Sequence, residues 1–326
     1  LSAALSKPKY SELITQYFGS VADKEENMTA LNTSYAREGA YIYIPPSVVA
    51  EKPIEIIHLS TGDQGPVWLQ PRNLIVVDTN AQVQIVERHQ SLLEHQVVTN
   101  SVTELIAHQE ALVDYYKIQN DLDSASLIDN TYIAQDKNSH VSVHTFSFGG
   151  KITRNNLNFY QRGEHINSTL KGITLLQGKQ HVDHNTLVHH AQPNCESHQD
   201  YKGIFSDRSI GVFNGKILVD KIAQKTNAFQ QNNNVILNDK AKVNTKPQLE
   251  IFAFFVRCSH GCTIGQLDEE ALFYLRSRGI PKKEAKGLMT YAFANNVLQS
   301  VQIPTLKKRI NKLIANKLGV NLGFEL

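Results

Sequence analysis

The sequence predicts a mainly β protein, a coiled β-solenoid core with a helical region at each end. Three observations predict it. From about residue 73 to residue 255 helical periodicity is almost absent, and short Val- and Ile-rich runs alternate with Asn, Asp and Gly turns. A pattern of turn residue, small or polar residue, any residue, then apolar residue recurs at residues 80–83, 110–113, 138–141, 208–212 and 240–243, with weaker copies near His165 and His181. Its interval, roughly 16 to 32 residues, is the range for one coil of a solenoid. Finally, QQNNNVILND (230–239) can stack polar amides along a ladder from coil to coil. A β-sandwich is the competing architecture, because it also yields many short strands; the recurrence favours the solenoid.

In chain order, a helix comes first. Ser11 can cap it, Leu13, Ile14, Tyr17 and Phe18 form an apolar stripe, and Gly19 stops it. After Ala40, YIYIP and PIEIIHL read as short strands broken by Pro and charge. The chain turns helical again after Gln266. Asp268 is a plain N-cap for EEALFYLRSR and Gly279 a C′ residue. Pro281 then suits the first turn of a helix whose predicted apolar face is Ala285, Leu288, Met289, Ala292 and Phe293. A last helix follows Pro304, with Leu306, Ile310, Leu313, Ile314 and Leu318 on its apolar side. The expected division is a helical segment at 1–40, a β core at 41–265 and a helical region at 266–326.

Composition excludes several function classes. A net charge of +2 over 326 residues is too weak a field for a nucleic-acid binder. No apolar run approaches the roughly 20 residues of a membrane-spanning helix. The opening LSAALSKPKYSEL is too short and polar for a secretion signal, and without an initiating Met the chain is expected to be a fragment or trimmed. Three cysteines build no disulfide framework, which points to a reducing cytoplasm. There is no Walker-type phosphate loop and no G-x-S-x-G elbow. Asp200, Lys202 and Asp207 could serve a polysaccharide-cleaving solenoid, though nothing in their spacing requires it.

The chemistry-bearing stretch is VRCSHGCTIG (256–265). On a strand, Cys258, His260 and Cys262 share one face at i, i+2 and i+4, about 7 Å apart. Thiolate and imidazole suit zinc, copper or an iron–sulfur cluster. Two neighbours can meet at one metal, but three residues on one strand do not complete its coordination. The site is therefore half of one, unless the thiols simply pack as small hydrophobes. Gly261 threatens to break the strand before Cys262. The histidines at 181–198 lack a tidy same-face spacing and read as solvated loop positions. Lys307, Lys308, Arg309, Lys312 and Lys317 read as the solvated face of the last helix.

Longer motifs carry a resemblance. KPQLEIFAFFVRCSHGCTIGQLDEEALFYLRSRGIPKKEA (246–285) resembles the signature of the SufB/SufD family of iron–sulfur assembly proteins. SHQDYKGIFSDRSIGVFNGKILV (197–219), AQKTNAFQQNNNVIL (223–237), ALNTSYAREGAYIYIP (30–45) and KPIEIIHL (52–59) resemble the same family in the same order, so the similarity runs from about residue 29 to residue 301. The Cys-Ser-His-Gly at 258–261 resembles the SufD branch.

The resemblance implies a right-handed parallel β-helix flanked by helical regions. It implies a scaffold subunit without catalysis of its own, working with a SufB-like subunit and two copies of the ATPase SufC. His260 and Cys258 would be ligands to a transient iron–sulfur cluster or iron at the SufB interface, with no cofactor held permanently and a SufB cysteine completing the set. SufC would dock on the C-terminal helices around Leu272, Phe273, Tyr274, Arg276, Arg278, Leu288, Tyr291 and Phe293. The isolated chain is expected to pair as a homodimer through a strand at 252–258. The resemblance has two departures: Phe254 and Phe255 stand where the family usually carries acidic residues, and the N-terminal helical region is shorter than expected. The competing functional reading is a self-associating β-helix binding protein, zinc-carrying and without assembly partners.

Overall fold

The computed structural model describes residues 1–61, 65–92 and 95–320. Three N-terminal helices, α1 (Ser2–Leu5), α2 (Pro8–Tyr17) and α3 (Asn27–Tyr35), precede the strands. The strands are β1 (Tyr41–Ile44), β2 (Ile54–Ser60), β3 (Val67–Leu69), β4 (Arg72–Val77), β5 (Gln82–Ser91), β6 (Val97–Ala107), β7 (Leu112–Gln119), β8 (Ala125–Gln135) and β9 (His140–Ser147). They continue with β10 (Ile152–Gln161), β11 (Asn167–Leu176), β12 (His181–His190), β13 (Glu196–Phe205), β14 (Ile210–Val219), β15 (Asn227–Ile236), β16 (Lys242–Ile251) and β17 (Arg257–Gly265). The chain closes with α4 (Glu269–Ser277), α5 (Lys282–Gln299) and α6 (Pro304–Leu318).

From β4 onward, even-numbered strands build one sheet and odd-numbered strands the other, all pairing in parallel. Each coil contributes one strand to each sheet, which makes a β-solenoid of about eight coils. The sandwich alternative falls with the pairing, since parallel strands joined by corners are wound and not folded back.

The corners explain both the recurring motif and its irregular interval. Leaving the even sheet, each coil turns at a residue with φ between 55° and 62°: Ser47, Asn80, Glu110, Asn138, His165, Asn194 and Lys225 in successive coils. Only Gly, and less readily Asn or Asp, takes this conformation without steric cost. The opposite corner repeats the device at Gly150, Gly178 and Asp207. Because both corners carry it, the motif recurs at half-coil as well as whole-coil steps. Stacked corners pass hydrogen bonds along the column, from Asn80 N to Gln109 O, Glu110 N to Lys137 O and Asn138 N to Glu164 O.

Alternate residues of each strand face the interior, where Ile85, Leu105, Tyr115, Ile133, Phe159, Leu170 and Phe213 pack between the sheets. The N-terminal helices cover the outer face of the even sheet, seating Ile14, Val21 and Ala22 on Leu74, Val102 and Tyr132. One buried carboxylate pins this segment: Glu104 accepts from the amides of Gly19, Val21 and Ala22 and pairs with Arg72 at 2.5 Å. The C-terminal helices cover the outer face of the odd sheet, where Val297, Leu298, Ile310 and Ile314 meet Tyr116, Phe146, Ile173 and Ile204. An amide ladder runs in the even sheet as Asn130, Asn156, Asn185 and Asn214, bonded between Asn156 and Asn130 and between Asn214 and Asn185, and not through the expected stretch 230–239, which lies on the odd sheet.

Several local expectations are corrected. Lys7 and not Ser11 is the N-cap of α2; Ser11 lies inside the helix, its hydroxyl bonding the Pro8 carbonyl. Helices α1 and α3 carry no strong apolar stripe and were not legible. Asp268 does cap α4, accepting from the amides of Glu270 and Ala271, and Gly279 has the expected positive φ of 88°. In α5 the buried face is Ala285, Gly287, Thr290, Ala294, Val297 and Leu298, while Ala292 is exposed. Ala294, Val297 and Leu298 pack on the odd sheet, Gly287 lies against Val320, and Leu288, Met289 and Phe293 are half-buried. Residues 252–256 form a turn between β16 and β17 and not a strand.

Candidate metal site at the open end of the solenoid

Strand β17 is the last coil of the odd sheet and pairs only with β15. Strand β16 is its counterpart in the even sheet and pairs only with β14. Pro247, which has no amide hydrogen to give a neighbour, is tolerated in β16 because the strand is an edge. Beyond these strands the chain leaves for α4, and among the described residues no further coil covers the interior face.

The register places the sequence candidates on that face. Cys258 sits over Ala228, His260 over Gln230 and Cys262 over Asn232, and all three β15 residues point into the buried interior. Cys258, His260 and Cys262 therefore share the inward face, as their spacing predicts, at the coil where that face opens to solvent. His260 and Cys262 are exposed, while Cys258 is half-buried beside Leu249 and Val256. Gly261 does not interrupt the strand, which continues to Gly265.

The three donors differ chemically. Burial pushes the Cys258 thiol up, against the opposing pull of a backbone hydrogen bond with Ala228. A metal would have to displace its proton, as metals do at thiol sites. His260 makes no hydrogen bond among the described residues, so its ring is free to turn toward a partner. Cys195, the remaining thiol, is buried and bonded to the Gly163 carbonyl at 3.2 Å. It lies one residue before β13, two coils back from β17, hence about 10 Å away, and does not join the set.

Beside the donors lies an apolar cluster. Phe254 and Phe255 are 80% and 77% exposed at the turn between the last two strands, with Phe252 at 60%. Their outward direction makes the rim of the open end apolar where acidic residues were expected. Exposed aromatic clusters of this kind mark contact surfaces.

The other candidates have structural partners. The 181–198 histidines lie on β12 and β13, not on solvated loops. His184 is buried and bonds Asn155 and Thr174, His190 bonds Ser197, and His189 pairs with Asp220. Lys202 donates to the Phe293 carbonyl and anchors α5, and Asp207 accepts from the Gly178 amide at a corner. Among the helical residues, Leu272 is buried. Phe293 lies under the Lys202 ammonium at 5.0 Å, Tyr291 bonds Asn311, and Leu288 is half-buried. Phe273, Tyr274, Arg276 and Arg278 are exposed on α4 and its C-cap. Sequence reasoning missed the group His58, Glu87 and His89, in which Glu87 and His89 stand two residues apart on β5 and His58 joins them through coil register.

The fold defines a class, a parallel β-solenoid whose last strand carries Cys258, His260 and Cys262 on one face at an end rimmed by exposed Phe side chains. Residues 58–293 match the family described as SUF system FeS cluster assembly, SufBD core domain, and residues 2–56 match the SufBD protein N-terminal region. The chain belongs to the SufBD family. It is 34% identical over 93% of its length to an iron–sulfur cluster assembly SufBD family protein of Synechocystis, spanning 69% of that protein. It is 30% identical over 88% of its length to the iron–sulfur cluster assembly protein SufD of Escherichia coli, again spanning 69% of it. It is 27% identical over 95% of its length to SufD of Bacillus subtilis, spanning 71% of that protein.

Proposed function

We propose that this chain is a SufD-like, non-catalytic scaffold subunit of a SUF iron–sulfur assembly complex, working in the cytoplasm with a SufB-like subunit and the ATPase SufC. The observation that carries the reading is the exposure of His260, with Cys258 beside it, on an uncovered last coil. An assembly site needs ligands that hold iron or a nascent cluster and then release it. A half-site completed by a second chain does both, because separating the chains halves the ligand set. The cluster is cargo in this reading, not a resident group.

The 41–265 core is then the scaffold, and the region at 266–326 is where SufC docks. Phe273, Tyr274, Arg276 and Arg278 supply the contact surface, while Leu272, Leu288, Tyr291 and Phe293 hold the helices in place beneath it. ATP-driven movement of SufC would change ligand access at the open end, a coupling that requires two states with different affinity for the cargo.

Co-purification from the native host tests the reading. A SufB-like chain and an ATPase should elute with this chain, and replacing the exposed Phe273 and Tyr274 of α4 together by Asp should remove the ATPase while the fold is kept. Elution of this chain alone or as a homodimer would favour the self-associating binding protein instead.

A further inference from the structure

A second cluster of ligating side chains lies in the first coils of the solenoid, at the end opposite His260. Residues His58 and His89 are register neighbours on β2 and β5, and their rings stack at 4.6 Å with 17° between planes. Glu87 comes up between them, its Oε1 2.9 Å from His58 Nε2 and 3.8 Å from His89 Nε2. One donor atom of each residue lies within 4.8 Å of the other two. Around a zinc-sized ion, with ligand bonds of about 2.0–2.2 Å, donor atoms stand about 3.4 Å apart. The backbone is therefore already placed, and the rings need only splay by rotation about χ2, which is soft for histidine.

We propose that His58, Glu87 and His89 form a resident binding site for a divalent transition-metal ion, inside the solenoid and separate from the open-end half-site. The decisive feature is His89. It is 6% exposed, and neither ring nitrogen has a hydrogen-bond partner among the described residues. A buried polar group without a partner needs an explanation, and a ligand to the ring supplies one.

The surroundings orient the carboxylate as metal ligands are usually oriented. Tyr115 donates to Glu87 Oε2 at 2.5 Å and Lys117 sits 3.3 Å from the same oxygen, while Asn73 donates to Oε1 at 3.0 Å. Lys117 is shared with Asp129 at 2.7 Å, so two buried carboxylates face one ammonium. The surplus negative charge is costly in a buried setting and favours a cation on the Oε1 side. His58, the one member touching solvent, gives the ion a way in. Two imidazoles and one carboxylate suit zinc or ferrous iron.

The test uses divalent cobalt alone as probe, on the full chain after chelator treatment, in a background with Cys258→Ser, His260→Ala and Cys262→Ser. We expect one cobalt per chain, with visible ligand-field bands, no thiolate charge-transfer band and a cobalt-dependent rise in Tm. Adding His89→Phe should weaken binding at least about tenfold while leaving Tm in chelator unchanged or higher, because the ring it replaces has no hydrogen bond to lose. His58→Gln, at the part-exposed position, should weaken binding likewise and serves if the first variant folds poorly. Absence of stoichiometric cobalt, or binding by both variants as tight as that of the parent background, would overturn the proposal.

Discussion

Three charged side chains, Glu87, Lys117 and Asp129, are buried together in the solenoid interior. Burial by itself raises the Glu87 carboxyl, but Lys117 and His58 hold it well below the usual carboxylate range. Breaking such a network leaves an uncompensated buried charge, so Lys117→Met should cost about 3–5 kcal/mol, read as a loss of Tm or of denaturant midpoint. A neutral result would mean the interior is wetter than the structure shows. Other interior residues set the acid limit. Burial lowers His144 to about 4, helped by Lys171 and opposed by Asp114; burial alone lowers His184 to about 4; burial with His189 lowers His190 to about 3. These rings are neutral when folded and protonate near 6.5 when unfolded. The unfolded chain therefore binds the extra protons, and stability present above pH 6.5 falls as pH drops from 6.5 towards 4, by up to about 1.4 kcal/mol per unit for each ring. A Tm series from pH 7 to pH 4.5 should fall monotonically; a flat series would contradict the buried-neutral assignment. At this scale the sequence showed that Cys258, His260 and Cys262 share one face, because i, i+2 spacing is local. It hid Glu87 and Glu104, whose partners arrive from neighbouring coils.

Among the elements, the corners do the most to specify the winding. Each must reverse direction within a few residues, and the left-handed residue does so at a steric cost paid seven times along one column. At Glu110 and Lys225 a long side chain occupies a conformation that Gly reaches freely. Glu110→Gly should therefore raise Tm, by the equivalent of about 0.5–1 kcal/mol after allowing for the added freedom of the unfolded chain. A decrease would show that the Glu110 side chain contributes more than its backbone strain removes. The turn motif was visible in the sequence for this reason, although its interval looked irregular until both corners were seen to carry it. Helices α4 and α6 were legible from caps and stripe. In helix α5 the predicted face and the contact face only partly coincide, because Ala294, Val297 and Leu298, near the helix end, make the contact with the odd sheet.

For the whole molecule, the consequence of a solenoid is that it has ends. Every interior coil is satisfied by two neighbours, while the last pair of strands is satisfied by one. Open strand edges invite pairing with other chains, and here the edge comes with the Phe252, Phe254 and Phe255 cluster. Replacing Phe254 and Phe255 together by Asp should leave the Tm nearly unchanged, since both rings are outside the core. It should also lower self-association of the isolated chain in sedimentation velocity. Unchanged association would place the contact surface elsewhere. The sequence announced the solenoid through recurrence and the family through its motifs. It did not show that the half-site and the uncovered end coincide, because that depends on which strand is last.

The central claim is that His260 on the open last coil acts in building the cluster and not in holding the fold. The measurement that tests it most directly is cluster yield from the complex reconstituted with a SufB-like chain and the ATPase, given iron and sulfide, for the wild type and for His260→Ala. The claim predicts a mutant with unchanged Tm and unchanged partner binding that forms little or no cluster. A folded, fully assembled mutant complex with wild-type cluster yield would contradict it.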